Sequence, residues 1–403
     1  MRSTRPLLVA VLTTALAGAA SLGAQAAPDQ GTDSDRLVVG SVTKSLRDKA
    51  IAAVKTGPSK SRDVVRLNPS ALDKARIDLT VGGRTVAVER GKQTANRSGS
   101  TTWVGTVAGT DDSVILVRDG DRITGSTRIG LQQYRIQPGP DGTHVISAIN
   151  EQAMPAEHPD VLPDGSKAAP GDGAGSTQVP RRPAAPLANT VVRVQVIGTS
   201  QAEAAYGGSL RSMAELAVAE TNQGYANSGI PITMELAGYN RLTYTEAGMS
   251  TDLGRFRSTT DGYLDQAHTL RNQLSADVNV LLVNDTSYCG IAYLNATAAS
   301  AFGVVSTQCA TGYYSFGHEI GHNQGAEHDP ANSSSSGYNH GYQYPAAGWR
   351  TIMAYACATA SCTRLNNWSN PRVTRNGVPM GTATTNDNAR KLSETAATVA
   401  SFR

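Results

Sequence analysis

The chain has 403 residues, 39% hydrophobic and 17% charged, which is ordinary globular composition in a length too great for one average domain. Its formal net charge is only +3, and Lys and Arg are scattered among acids. Without a basic stripe, nucleic acid and other polyanions are excluded as expected partners.

The chain opens with Arg2 and Arg5, an apolar run from Leu7 to Ala17, and small residues ending in Ala24-Gln25-Ala26. This is the pattern of a secretory signal over residues 1–26, cleaved near Ala26. The run falls short of the ~20 residues a membrane span requires, and no later segment reaches that length, so no membrane anchor is expected. No Cys follows the apolar run, and the Ala- and Gly-rich signal points to a bacterial exporter and a secreted product. The sequons at Asn295 and Asn367 would matter only in a eukaryotic secretory pathway.

Residues 27–162 read as a mainly β unit. After a helix over Leu46–Val54, strand-like runs are predicted at Ile77–Val81, Thr85–Val88, Thr101–Val107, Ser113–Val117 and Tyr134–Ile136. They are short, rich in Val, Ile and Thr, and separated by Gly, Asp and Asn, as antiparallel hairpins are. Residues 163–188 then turn to Pro, Gly, Ala and Ser with almost no large apolar residue, which predicts an exposed linker. Proteolytic processing is expected within it, and Arg181-Arg182 is a candidate point.

Residues 189–403 alternate between strand and helix. Strands are predicted at Val191–Ile197, Ile230–Leu236 and Val278–Val283, and helices at Ala202–Asn227 and Asp261–Leu274. Alternation of this kind argues for a mainly parallel sheet, an α/β (α+β) unit. All four cysteines lie here, and an even count in an exported chain suggests two disulfides. Pairing Cys289 with Cys309 and Cys357 with Cys362 closes two short local loops. The C-x2-C spacing of a zinc cluster is missing.

The chemistry is concentrated in His318-Glu319-Ile320-Gly321-His322. Two imidazoles four residues apart project from one face of a helix and can hold one metal, while Glu319, turned about 100° round the helix, borders that metal without having to ligate it. Six residues after His322 comes His328, with Gly325 between them. Glycine can take φ > 0, end the helix and swing the chain back, so His328 completes a three-ligand site with a fourth position open to water.

The extended motif, with Met353 in Thr351-Ile352-Met353-Ala354-Tyr355, resembles the metzincin superfamily of zinc endopeptidases, in which a methionine turn forms the apolar floor under the zinc. Asp329 resembles the reprolysin and snapalysin branches. Tyr355 resembles astacins and serralysins, where this tyrosine is a fifth zinc ligand that swings to support the transition state. Trp368-Ser369-Asn370-Pro371, Gly377-Val378-Pro379 and a final helix over Asp387–Phe402 resemble the reprolysin-like bacterial group that includes the peptidyl-Asp metalloendopeptidases.

The resemblance covers most of residues 190–403. It implies a twisted five-stranded mixed sheet with one antiparallel edge strand, the run Ile291–Leu294 after Gly290. It further implies one catalytic Zn2+ on His318, His322 and His328, Glu319 as general base, and protein or peptide substrates. Nothing indicates a structural calcium ion, and a monomer is expected. Residues 27–162 then read as a propeptide in the cleft of a zymogen. Containing no cysteine, this half would cap the metal with another group, and Glu157, His158 and Asp160 are candidates. A preference for an acidic residue after the cut would need a cation, and Arg350, Arg364 and Arg372 flank the turn, each equally readable as a surface charge. His340, in a Ser-rich loop, reads as solvated; His144, His158 and His268 have no partner motif. Two other functions remain open: a zinc amidase acting on cell-wall peptides, and a non-catalytic peptide binder.

Overall fold

The Val-, Ile- and Thr-rich runs between residues 76 and 149 form an antiparallel meander, in which each short turn returns the chain alongside itself. The computed structural model describes residue 1 and residues 35–55, 57–162, 189–333 and 335–403. The rest of the expected signal, and the linker with Arg181-Arg182, lie outside the described residues. The first unit comprises β1 (Val38–Gly40), α1 (Lys44–Ala53), β2 (Ser59–Leu67), β3 (Arg76–Val81), β4 (Arg84–Ala95), β5 (Thr101–Val107), β6 (Ser113–Asp119), β7 (Arg122–Ile129), β8 (Gln132–Pro138) and β9 (His144–Ile149). Its nine strands lie in the order β1-β2-β9-β8-β7-β6-β5-β4-β3. Trp103, Leu116, Ile123 and Ile136 fill the core on one face. The mainly β reading therefore holds. Strands β2 and β7 escaped it because Ser, Arg, Asp, Thr and Gly interrupt their apolar positions, and β1 and β9 were missed as well.

The second unit comprises β10 (Thr190–Thr199), α2 (Ser200–Tyr206), α3 (Leu210–Asn227), β11 (Ile232–Leu242), α4 (Met249–Arg257), α5 (Gln266–Leu274), β12 (Val278–Val283), β13 (Gly290–Ala292), β14 (Phe302–Ser306), α6 (Ser315–Asn323) and α7 (Asn388–Val399). Its five strands run β11-β10-β12-β14-β13. All pairs are parallel except β13–β14, so the expected antiparallel edge strand is present. Both faces of the sheet are covered. Val278, Val280 and Leu282 enter one core with Val192, Val194 and Val196, while Leu281 and Val283 enter the opposite one with Ile197, the period-2 alternation of a strand buried on two sides.

Two expectations need correction. The single helix over Ala202–Asn227 is broken in two: Gly207 adopts φ +72° and ends α2, and Ser209 caps α3 by accepting a hydrogen bond from the Ser212 amide. Helix α4 was not anticipated, and the helix expected from Asp261 begins at Gln266. Both disulfides form with the expected partners, Cys289–Cys309 and Cys357–Cys362. Among the described residues no helix is long and apolar enough to cross a membrane.

The two units meet across α3. Ser98 and Ser100 of the first unit donate hydrogen bonds to Glu215, and Ser126 donates to Glu220. Arg135 reaches the carbonyls of Gln308 (2.8 Å) and Thr311 (2.6 Å). Past β9 the first unit's chain leaves its own sheet and continues to the edge of the second.

Candidate metal centre

Every residue of α6 is buried, so the helix runs through the protein with His318 and His322 turned to the same side. The helix ends where a glycine is required. Gly325 has φ +91°, and a Cβ there would stand 2.3 Å from Asn295 Oδ1 and from Lys391 Cε. The Gly325 amide bonds the His322 carbonyl (2.9 Å) and the Ala326 amide the Gly321 carbonyl (2.8 Å), turning the chain back so that His328 faces the helix.

The Nε2 atoms of His318, His322 and His328 lie 3.1 Å from one another, all buried. Their other nitrogens are anchored: His318 Nδ1 donates to the Ile352 carbonyl (3.0 Å) and His322 Nδ1 to the Ala326 carbonyl (2.9 Å), leaving both Nε2 lone pairs directed inward. Three nitrogens about 2.0–2.1 Å from a tetrahedral zinc would be roughly 3.3 Å apart, so the trio fits that ion. Burial and the adjacent imidazoles hold His318 well below its usual pKa and bring His322 to about 3, so both are neutral, as metal ligands must be.

Glu319 is buried beside the trio, and its Oε2 has no hydrogen-bond partner among the described residues. Burial first, then the Glu157 carboxylate, push its carboxyl well above the usual range. Met353 is buried against the helix: a Cβ on Gly321 would stand 3.1 Å from its sulfur and 2.6 Å from the Trp368 ring. The Tyr355 ring packs edge-on to His328 with centroids 4.5 Å apart, and its hydroxyl donates to the Glu157 carbonyl (3.0 Å). Asp329 accepts from the Tyr355 amide (2.9 Å) and from the Asn332 side chain, so the acid after the third histidine fixes the turn that carries the tyrosine.

The tail of the first unit lies along this cleft. The Cys289 amide bonds the Ala156 carbonyl (2.8 Å), the His158 backbone amide donates to the Gly290 carbonyl (3.3 Å) and the Leu294 amide bonds the Val161 carbonyl (2.7 Å). Residues 156–161 thus extend the sheet past β13, with Val161 parallel to Tyr293. Of the three groups suggested as a cap, Asp160 stands 3.0 Å from Nδ1 of His328 and 3.5 Å from Nδ1 of His322. Glu157 lies with His318 and Glu319 in a cluster whose ligand atoms are all within 4.8 Å. His158 instead packs against the Tyr288 ring.

The arginines separate in the same way. Arg350 and Arg364 are fully buried, not surface charges, whereas Arg372 is half exposed and pairs with Asp387. Arg364 reaches the cleft and donates to Glu157 Oε1 at 2.5 Å. Ser315, which the sequence did not single out, donates to the same oxygen at 2.9 Å. His340 is buried rather than solvated, its Nδ1 3.0 Å from the His328 carbonyl, and it supports the third histidine from behind.

Three convergent imidazoles, a glutamate beside them and a sheet edge able to carry an extended chain define a metalloendopeptidase. Residues 188–369 match metallo-peptidase family M12 in its reprolysin branch. The peptidyl-Asp metalloendopeptidase of Xanthomonas campestris pathovar campestris is 42% identical, over 98% of this chain and 98% of that one. The enzyme of the same name from Stenotrophomonas maltophilia is 46% identical, over 84% of this chain and 86% of that one. A solved chain from a chaperone–substrate complex superposes with a TM-score of 0.45 at 16% identity, over 69% of this chain and 43% of that one. The chain belongs to the reprolysin-like metallopeptidases of family M12 and is a zinc metalloendopeptidase.

Proposed function

We propose that the chain is a secreted endopeptidase made as a zymogen, with a signal over residues 1–26, a propeptide over 27–162 and a catalytic unit over 189–403, and that it cuts peptide bonds before acidic residues. The observation that carries the reading is Glu319 beside the histidine trio, with its free Oε2 in a cleft whose edge strand already pairs with an extended segment.

His318, His322 and His328 would hold one zinc, which when bound would supply Lewis acidity to the attacking water and the scissile carbonyl. Glu319 takes the proton of the attacking water on its carboxylate and passes it to the departing amine. Tyr355 donates its hydroxyl proton to the carbonyl oxygen under attack, as it does here to the Glu157 carbonyl. Arg364, buried next to Glu319 and paired with a carboxylate, is the cation that reads the acidic side chain. The relatives' name, peptidyl-Asp metalloendopeptidase, supports that preference.

The test is Glu319→Gln, assayed on casein, on purified peptidoglycan and on peptides with Asp or Asn after the cut. The variant should keep one zinc per chain and lose at least about a hundredfold in peptide hydrolysis. Substantial residual activity would remove Glu319 from the base role. Cleavage of peptidoglycan instead of casein would favour the cell-wall amidase.

A further inference from the structure

The catalytic unit contains two buried guanidinium groups whose carboxylate partners both belong to the other unit. Arg350 pairs with Glu151 at 3.3 Å and Arg364 with Glu157 at 2.5 Å. Within its own unit Arg364 is offered the Tyr313 carbonyl at 3.2 Å and the Ser315 hydroxyl at 3.4 Å. Removing one partner of a buried ion pair is disfavoured, so a seat built around Arg364 favours another acid when residues 156–161 leave it. In the structure Glu157 fills that seat. It is buried, accepts from Arg364 and Ser315 through Oε1, and lies against Glu319 and His318.

We infer that Glu157 is a built-in occupant of the carboxylate seat formed by Arg364 and Ser315, so that an acidic substrate side chain and the first unit compete for one site. This rests on the acid-reading role proposed above for Arg364. The occupant is held in a register that differs from a substrate's. Cutting before an acidic residue uses the carbonyl preceding it, which here belongs to Ala156. That carbonyl is bonded to the Cys289 amide, and the one offered to Tyr355 is that of Glu157 itself. The acid is seated while the bond before it lies away from the tyrosine, which lets the segment occupy the cleft without being cut. Backbone pairing on either side, at Cys289 and Leu294, fixes the segment, and Glu157 supplies the charge that makes its place specific.

The experiment uses the intact chain. In a Glu319→Gln background, which removes the chain's own peptidase activity, hydrogen exchange is followed at the Cys289 and Leu294 amides with and without Glu157→Gln. The glutamine should speed exchange at both amides by at least about tenfold, the worth of a hydrogen bond to a charged group. With Glu319 restored, the intact Glu157→Gln chain should cleave a peptide with Asp after the cut at least about tenfold faster than the intact wild type. A second arm needs no substitution at Glu157: millimolar acetyl-Asp-amide should speed the same exchange in the otherwise unaltered chain, and acetyl-Asn-amide should not. A folded Glu157→Gln chain that exchanges like its parent, or an equal response to the two amides, overturns the inference. The Asp-over-Asn preference of the released activity reads the acid seat separately. If exchange accelerates but that preference is absent, the acid reading falls while Glu157 stands as the holder; if the preference is clear but exchange is unchanged, the inference alone falls.

Discussion

Gly290 on the edge strand leaves the space that the Glu319 carboxylate occupies: a Cβ at Gly290 would stand 2.4 Å from Glu319 Oε1 and 2.7 Å from its carboxyl carbon. The close approach sets where the proposed base can stand relative to an extended chain on β13. Gly290→Ala should therefore displace the carboxylate while leaving the three histidines, held by other contacts, in place. A displacement of about 1 Å in a reacting group costs on the order of a hundredfold in rate. Peptide hydrolysis should fall by about that factor with zinc content unchanged, as measured by steady-state kinetics beside metal analysis.

How much of this was legible in the sequence follows from range. His318, Glu319 and His322 sit on one helix, and Gly325 and His328 follow within a single turn, so local spacing sufficed to find them. The antiparallel β13–β14 edge was expected only through the family resemblance, because a strand of three residues carries no pattern of its own. Arg364 and Glu157 are 207 residues apart, and neither carries a local pattern that names the other. Arg350 was equally readable as a surface charge because its side-chain partners Tyr313 and Glu151 stand 37 and 199 residues away. The break between α2 and α3 was readable in principle from Gly207-Gly208, but the apolar periodicity on either side masked it.

The contact between the units should be sensitive to pH through Glu220. Burial raises its carboxyl to about 7, against the Ser126 hydroxyl, the Gly312 amide and Arg135, which all favour the charged form. Because the folded pKa lies above the free value of 4.5, this group's contribution is fully present below about 4.5 and is lost as pH rises through about 7. The loss is on the order of 3 kcal/mol for complete burial. Glu220→Gln should flatten that dependence, so urea midpoints of the intact chain between pH 5 and 8 should fall for the wild type and stay level for the variant. Parallel curves would place the pH response elsewhere.

The Cys289–Cys309 bridge closes a loop of 20 residues that contains both β13 and β14. Replacing both cysteines by serine should cost about 3 kcal/mol through the freed unfolded chain. The damage should also be local, since the edge strand is the surface on which a substrate would lie. Under thermal unfolding the double variant should melt several degrees lower, and KM should rise more than kcat falls. The other bridge spans only 5 residues and constrains the unfolded chain less, so its removal should lower the melting temperature by less.

Tyr355 separates two roles that the same position could play. Burial first, then Glu157, Asp160 and Glu319, raise its hydroxyl far above the usual value, so it remains a protonated donor throughout the working range. In the structure that donor is spent on a peptide carbonyl, and its ring rests on His328. Phenylalanine would keep the ring contact and delete only the donor. If the hydroxyl supports the carbonyl oxygen as charge develops on it, Tyr355→Phe should lower kcat by roughly a hundredfold, the usual cost of one such donor, with KM and zinc affinity nearly unchanged. If the hydroxyl instead served chiefly as a zinc ligand, the variant would lose metal more readily to a chelator, and added zinc would restore its activity. Zinc titration and kinetics on one preparation decide between them, because only the first role separates kcat from metal content.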